Sequence, residues 1–212
     1  MSGGLRSVVT AAALAAFASP LAAQAPRQTA VLAGGCFWGM QYVFEHVAGV
    51  TSVVAGYAGG QAATAEYETV SGGGTGHAES VEITFDPAVV SYETLLDVFF
   101  TVAHDPTELN RQGPDVGTQY RSAIFFADTA QQRIAQAVIH RLERSGAFRR
   151  PIVTQVVPLP GFYRAEAYHQ DYARRHPTDP YIAYNDLPKI PVLKAKFPQL
   201  YREPGVLAAA SD

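Results

Sequence analysis

Apolar positions change period along the chain, and the changes mark its elements. "TAVLAGG" (29–35) is a continuous apolar run closed by two glycines, the pattern of a short buried strand. "WGMQYVFEHV" follows with Met40, Val43, Phe44 and Val47 at helical spacing, so strand passes directly into helix. "VTSVVAGYAGG" predicts a second strand ending in a glycine turn, and "QAATAEYETVSGGGTG" a long loop of small residues. In "HAESVEITF" the residues Val81, Ile83 and Phe85 alternate with Ser80, Glu82 and Thr84, a third strand with one apolar face. "DPAVVSYETLLDVFFTVAH" offers Ser91 as an N-cap and puts Leu95, Val98, Phe99 and Val102 on one helical face. After the turn-rich "DPTELNRQGPDVGTQ" come the strand "YRSAIFFA" and the helix "TAQQRIAQAVIHRLERSG", with Ile134, Ala137, Val138 and Leu142 inward. A fifth strand "PIVTQVVPL" and a short helix around "RAEAYHQDYARRH" close the domain, and the chain beyond Pro177 reads as irregular, with a C-terminal tail from about residue 185.

Strand, helix, strand, strand, helix, strand is the order of the ferredoxin-like split βαβ unit, an α/β (α+β) fold. Its sheet is antiparallel to mixed, in order 4-1-3-2, with the first two strands opposed to the last two and helices packed on it. This topology brings the ends of strands one and two and the starts of strands three and four to a single sheet edge. Cys36 ends strand one, Tyr67 lies in the loop after strand two, Glu79 precedes strand three by a residue or so, and Asp115 and Tyr120 enter strand four. All five are expected to converge.

Composition narrows the setting. With 48% apolar and 17% charged residues in 212, the chain has enough apolar side chain for one substantial core, and no repeat or linker divides residues 26–212. A net charge of -3 leaves no basic surplus for nucleic acid, and a monomer is the default. The first 25 residues carry Arg6, an apolar run from Val8 to Ala18, Pro20, and small residues at Ala23 and Ala25. That is the layout of a secretory signal peptide, cleaved after residue 23 or 25, and it implies export, to the periplasm or beyond. No cysteine near the cleavage point supports a lipid anchor.

An exported chain with one cysteine has no internal disulfide, so Cys36 is buried and inert, paired between chains, or chemically active. The glycines before it and its place at a strand-to-helix junction favour activity. A helix N-terminus presents unpaired N–H groups and a positive dipole end, which is expected to favour the thiolate. Gly35 is expected to let a substrate approach closely, and Phe37 and Trp38 to form a small apolar pocket. Glu79 shares strand parity with Val81, Ile83 and Phe85, so its carboxyl should face the apolar side, where a raised pKa suits a proton donor. His46, His104, His140, His169 and His176 show no ligand spacing, and no metal is expected. His169 in "YHQDY" stands open between bordering the site and packing a surface helix.

"GGCFWG" (34–39), "GTGHAE" (74–79), "DVGTQYRSAIF" (115–125) and "YHQDY" (168–172) together resemble, in order and spacing, the peptide methionine sulfoxide reductases of type A, over roughly residues 29–184. The resemblance implies reduction of the S epimer of methionine sulfoxide, free or in proteins, with no bound cofactor, as repair of oxidatively damaged proteins. It also implies roles. Cys36 attacks the sulfoxide sulfur, Glu79 protonates the oxygen, Tyr67 and Tyr120 hydrogen-bond it, Asp115 orders the network, and Phe37 and Trp38 hold the methyl group. The first products are methionine and a Cys36 sulfenic acid. Many members of the family resolve that acid with further cysteines near the C-terminus, and "VLKAKFPQLYREPGVLAAASD" contains none, so an external thiol such as a thioredoxin-like dithiol is the expected partner. Two other classes compete: a cysteine hydrolase with a histidine base, disfavoured by Glu79 in the histidine's place, and a binding module whose aromatic pocket contains an incidental cysteine.

Overall fold

A computed structural model describes Met1 and residues 26–204, so the segment read as a signal peptide lies outside the described residues. In chain order the elements are β1 (Gln28–Gly34), α1 (Phe37–Glu45), β2 (Val50–Ala58), α2 (Tyr67–Ser71), β3 (Ala78–Phe85), α3 (Tyr92–Val98), β4 (Arg111–Gln112), β5 (Asp115–Val116), β6 (Ser122–Phe126), α4 (Thr129–Ser145), β7 (Gln155–Pro158), β8 (Phe162–Arg164), α5 (Tyr172–Arg175), α6 (Pro180–Asn185) and α7 (Lys189–Lys196).

The four strands of the expected unit are β1, β2, β3 and β6, and they lie in the order β6-β1-β3-β2 with every neighbour antiparallel. That is the 4-1-3-2 arrangement. Two edge strands widen the sheet to six: β7 runs parallel to β6, and β8 antiparallel to β2. β8 has only three residues and no apolar period of its own. It docks because Gly56 has no side chain there; a Cβ would stand 2.4 Å from both Phe162 Cζ and the Tyr163 carbonyl oxygen. The side chain of Gln170 then ties this edge down through Ala55 N, Ala55 O and Ala165 O.

The core follows the helical periods. Met40, Val43, Phe44 and Val47 are fully buried, and α3 continues through one π-helical turn, 99–103, that buries Phe99, Phe100 and Ala103 as well. Each such large side chain contributes about 1.5–3 kcal/mol over its exposed state. Ser91 caps α3 by accepting a hydrogen bond from Thr94 N at 3.1 Å. α4 turns Ala135, Val138 and Leu142 inward, whereas Ala137, expected inside, is exposed; its apolar stripe is narrower than the sequence suggests.

Two loop assignments change. The small-residue loop after β2 contains α2, and Tyr67 is its first residue. The segment after Pro177, expected to be irregular, forms α6 and α7. The prolines there start helices: Pro180 occupies the first turn of α6 behind Asp179, which caps Tyr181 N at 2.8 Å, and Pro188 precedes α7. Ile182 and Leu193 are fully buried, and the chain returns to the end of α1 through Ala48 N to Leu200 O and Arg202 N to His46 O.

Candidate active site

β1 ends at Gly34, Gly35 (φ +93°) turns the chain, and Cys36 stands immediately before the first turn of α1. A side chain at Gly35 would meet Cβ and Cγ of Gln112 at 2.6 Å. The space expected to admit substrate is therefore filled by the β4–β5 hairpin, and the glycine is required for the protein's own close packing. Gly39 plays the same part on the next turn, where a Cβ would lie 1.9 Å from Asp186 Oδ1.

Glu79 lies beside this turn. The parity argument holds: Glu79, Val81, Ile83 and Phe85 are all buried, and the Glu79 carboxyl accepts a hydrogen bond from Phe37 N at 3.0 Å. One of the free N–H groups of α1 is thus spent on a carboxyl. Burial pushes the Glu79 pKa up to about 8; the Phe37 N–H and the Cys36 thiol oppose the rise, and the charge of Asp115 adds to it.

The thiol departs from expectation. Burial raises the Cys36 pKa well above its usual value, the charges of Glu79, Asp186 and Asp115 raise it further, and only the Trp38 N–H pulls it down. One helix-end N–H is outweighed by desolvation and three carboxyl groups. In the resting protein both Cys36 and Glu79 hold their protons at neutral pH.

Tyr67, Tyr120 and Asp115 reach the same place. The phenols of Tyr67 and Tyr120 are held above their usual pKa, by burial first and by Glu79 next, so both remain hydrogen-bond donors. Tyr67 is anchored by its backbone N–H, which donates to Glu166 Oε1 at 2.8 Å, and Glu166 also accepts from Tyr57 Oη at 2.9 Å. Asp115 accepts from the Tyr181 hydroxyl; burial raises its pKa, while Tyr181 and the Lys189 ammonium oppose the rise. Arg121 secures the glycine-rich turn before β3 by donating to the carbonyls of Gly76, His77 and Thr118. His77 accepts from Gly60 N at Nδ1 and donates to Gln61 O from Nε2, so it holds the loop in place.

The aromatic wall divides into two layers. Phe37 is fully buried, with its ring 4.9 Å from that of His169 and 5.8 Å from that of Tyr57, and forms the floor. Trp38 is half-buried, stacks on Tyr172 at 3.9 Å and 14°, and donates from Nε1 to His169 Nδ1 at 3.1 Å. His169 therefore borders the site, which settles its two readings. Accepting at Nδ1 keeps its proton on Nε2, and burial lowers its pKa, so the ring is neutral. Tyr172 and Glu166 carried no signal beyond the segment they occupy. Tyr181, Asp186 and Lys189 were missed because the segment holding them was read as irregular.

Residues 28–200 match the family described as peptide methionine sulfoxide reductase. The chain is similar to the protein named peptide methionine sulfoxide reductase MsrA 2 of Mesorhizobium japonicum, 55% identical over 185 residues that cover 87% of this chain and 95% of that one. Its counterpart of the same name from Synechocystis is 54% identical over 176 residues, 83% of this chain and 80% of that one. Among solved structures, Mxr1 of Saccharomyces cerevisiae in reduced form superposes with a TM-score of 0.66 at 32% identity, covering 72% of this chain and 87% of that chain. Methionine sulfoxide reductase A of Corynebacterium diphtheriae gives 0.63 at 35% identity, with 74% and 78% covered.

Proposed function

The chain belongs to the peptide methionine sulfoxide reductase family and reduces methionine sulfoxide, and on that premise we propose how its single thiol does so. Cys36 Sγ attacks the sulfoxide sulfur of the S epimer while Glu79 delivers a proton to the oxygen. Tyr67 and Tyr120 hydrogen-bond that oxygen, Asp115 orders them, and Trp38 above Phe37 seats the methyl group. The oxygen passes to the thiol, leaving methionine and a Cys36 sulfenic acid, and the Cys36 proton restores Glu79. The observation that carries this reading is the buried Glu79 carboxyl, neutral up to about pH 8 and hydrogen-bonded to the residue next to Cys36. A neutral carboxyl is an acid ready to act at the moment the oxygen gains charge.

With Cys36 the only cysteine in the sequence, the sulfenic acid is reduced by an external thiol, and a thioredoxin-like dithiol has the required chemistry. One thiol forms a mixed disulfide with Cys36 and releases water; a second frees Cys36 and leaves as disulfide. No bound redox cofactor enters either step. The N-terminal layout further supports export and repair of oxidised proteins outside the cytoplasm.

A single-turnover reaction without reductant tests the chemistry. A peptide containing the S sulfoxide should give about one methionine per Cys36 thiol lost, with a dimedone-reactive sulfenic acid, and the R sulfoxide none. No methionine from a folded protein with Cys36 still reduced would sink the mechanism. Export predicts a mature N-terminus at residue 24 or 26 in the exported fraction; intact chain in the cytosol would refute it.

A further inference from the structure

On the side away from the aromatic wall, Cys36 borders a cleft of about 80 Å³, lined by Gln112, Gly113 and Pro114 of the β4–β5 hairpin and by Tyr181, Asn185, Asp186 and Lys189 at the α6–α7 junction. Neither Glu79 nor any of Phe37, Trp38, Tyr67 and Tyr120 lines it. Its size suits the CH2–SH end of one thiol but not a methionine sulfoxide side chain together with its backbone.

The cleft contains an anomaly. Asp186 is 1% exposed; its Oδ1 pairs with Lys189 Nζ at 3.0 Å, and its Oδ2 has no hydrogen-bond partner. A buried carboxyl oxygen without a donor has lost its water and gained nothing in exchange, which native structures rarely tolerate. The molecule also keeps Gly39 bare to admit this carboxyl against the first turn of α1. The oxygen against Gly39 is the Oδ1 that Lys189 satisfies, so Oδ2, on a residue lining the cleft that Cys36 borders, is the acceptor left waiting for a hydrogen.

We infer that this cleft is where the external thiol reaches the Cys36 sulfenic acid, with Asp186 Oδ2 taking the thiol's proton and Lys189 steadying the resulting thiolate. The inference rests on the sulfenic-acid mechanism above. The incoming sulfur forms the S–S bond to Cys36 as the S–O bond breaks, and the hydroxyl leaves as water on taking the proton of Glu79. The proton held by Asp186 makes good that loss. The thiol is oxidised and the sulfenic acid reduced. Burial raises the pKa of Asp186 against the opposing Lys189 charge, which makes its carboxylate a better proton acceptor than a free one. Substrate and reductant thus meet the same sulfur from different walls.

The test separates the two half-reactions. Asp186→Asn, Lys189→Met and, as a steric plug at the mouth that alters no charge, Asn185→Trp are each first oxidised by one turnover of S sulfoxide peptide. Their sulfenic acid is then reduced with dithiothreitol and, in a second arm, with a reduced thioredoxin-like protein, following loss of dimedone reactivity. The expected result is one methionine per Cys36 in the first turnover, followed by re-reduction at least tenfold slower, with Asn185→Trp slowing both reductants. If Asp186→Asn fails to fold, the other two decide. Re-reduction within twofold of the parent, or a first turnover that falls as much as the second step, would overturn the assignment. Absence of any dimedone adduct in the unsubstituted protein would instead refute the sulfenic-acid mechanism beneath it.

Discussion

The two ends of α1 each hold a buried glutamate with its pKa pushed up to about 8: Glu79 against the N-terminus and Glu45 at the C-terminus. Burial is the first cause at both. At Glu45 the next is a hydrogen bond with Asp171, and Arg174 and Arg202 oppose the rise. The surroundings then diverge. Glu45 is closed in by charged side chains, with Arg174 paired to Asp171 at 3.0 Å and Arg202 donating to the Val50 carbonyl at 2.6 Å. Glu79 has the Cys36 thiol and the phenols of Tyr57, Tyr67 and Tyr120 around it. A displaced pKa by itself therefore does not designate a site; a neighbouring nucleophile and an opening do.

Substitutions at the two ends should separate these roles. Cys36→Ser should abolish turnover while leaving peptide binding intact, which a stopped assay beside a binding isotherm would reveal; retained turnover would remove the thiol from the mechanism. Glu79→Gln keeps an acceptor for Phe37 N but loses the proton, and should slow the first turnover by about 10²–10⁴-fold. In the parent that first turnover should fall as pH rises through about 8, because the acid form of Glu79 is present below its pKa and lost above it. In Glu79→Gln that descending limb should be missing, and its persistence would assign the limb to another group. Tyr181→Phe removes the donor to Asp115 and should cost about tenfold, mainly in kcat.

The smallest effect belongs to the other end. Glu45→Gln should leave activity within about twofold and change stability instead. The folded pKa of Glu45 lies above its unfolded value, so its contribution is fully present below about pH 4.5 and lost as pH rises through about 8. The parent Tm should decline across that interval, and the variant should decline less, gaining about 1–2 kcal/mol, or a few degrees, above pH 8. Thermal melts at a series of pH values would decide it. An equal decline in both would mean that the Glu45 proton is not linked to folding.

Most of the sheet was legible because period-two alternation in β3 and the helical spacing of Met40, Val43, Phe44 and Val47 are local patterns set by which face must be buried. Glu79 was legible through the same parity, and with it the meeting of Cys36, Tyr67, Asp115 and Tyr120 at one sheet edge. β8 was not, since three residues carry no period and their place depends on the missing side chain of Gly56. The helices after Pro177 were hidden because proline reads as a breaker until its position in the first turn is known.

The order of strands, the single thiol, its junction with a helix and the acid on the apolar face are properties of neighbouring residues, and sequence alone determined them. The protonation of that thiol was decided only in the fold. A helix end is a local feature, but burial of the thiol comes from the assembled fold, and the charges of Asp186 and Asp115 come from distant parts of the chain and act through space. Their sum, together with burial, outweighs the one N–H of Trp38, so Cys36 rests as a thiol.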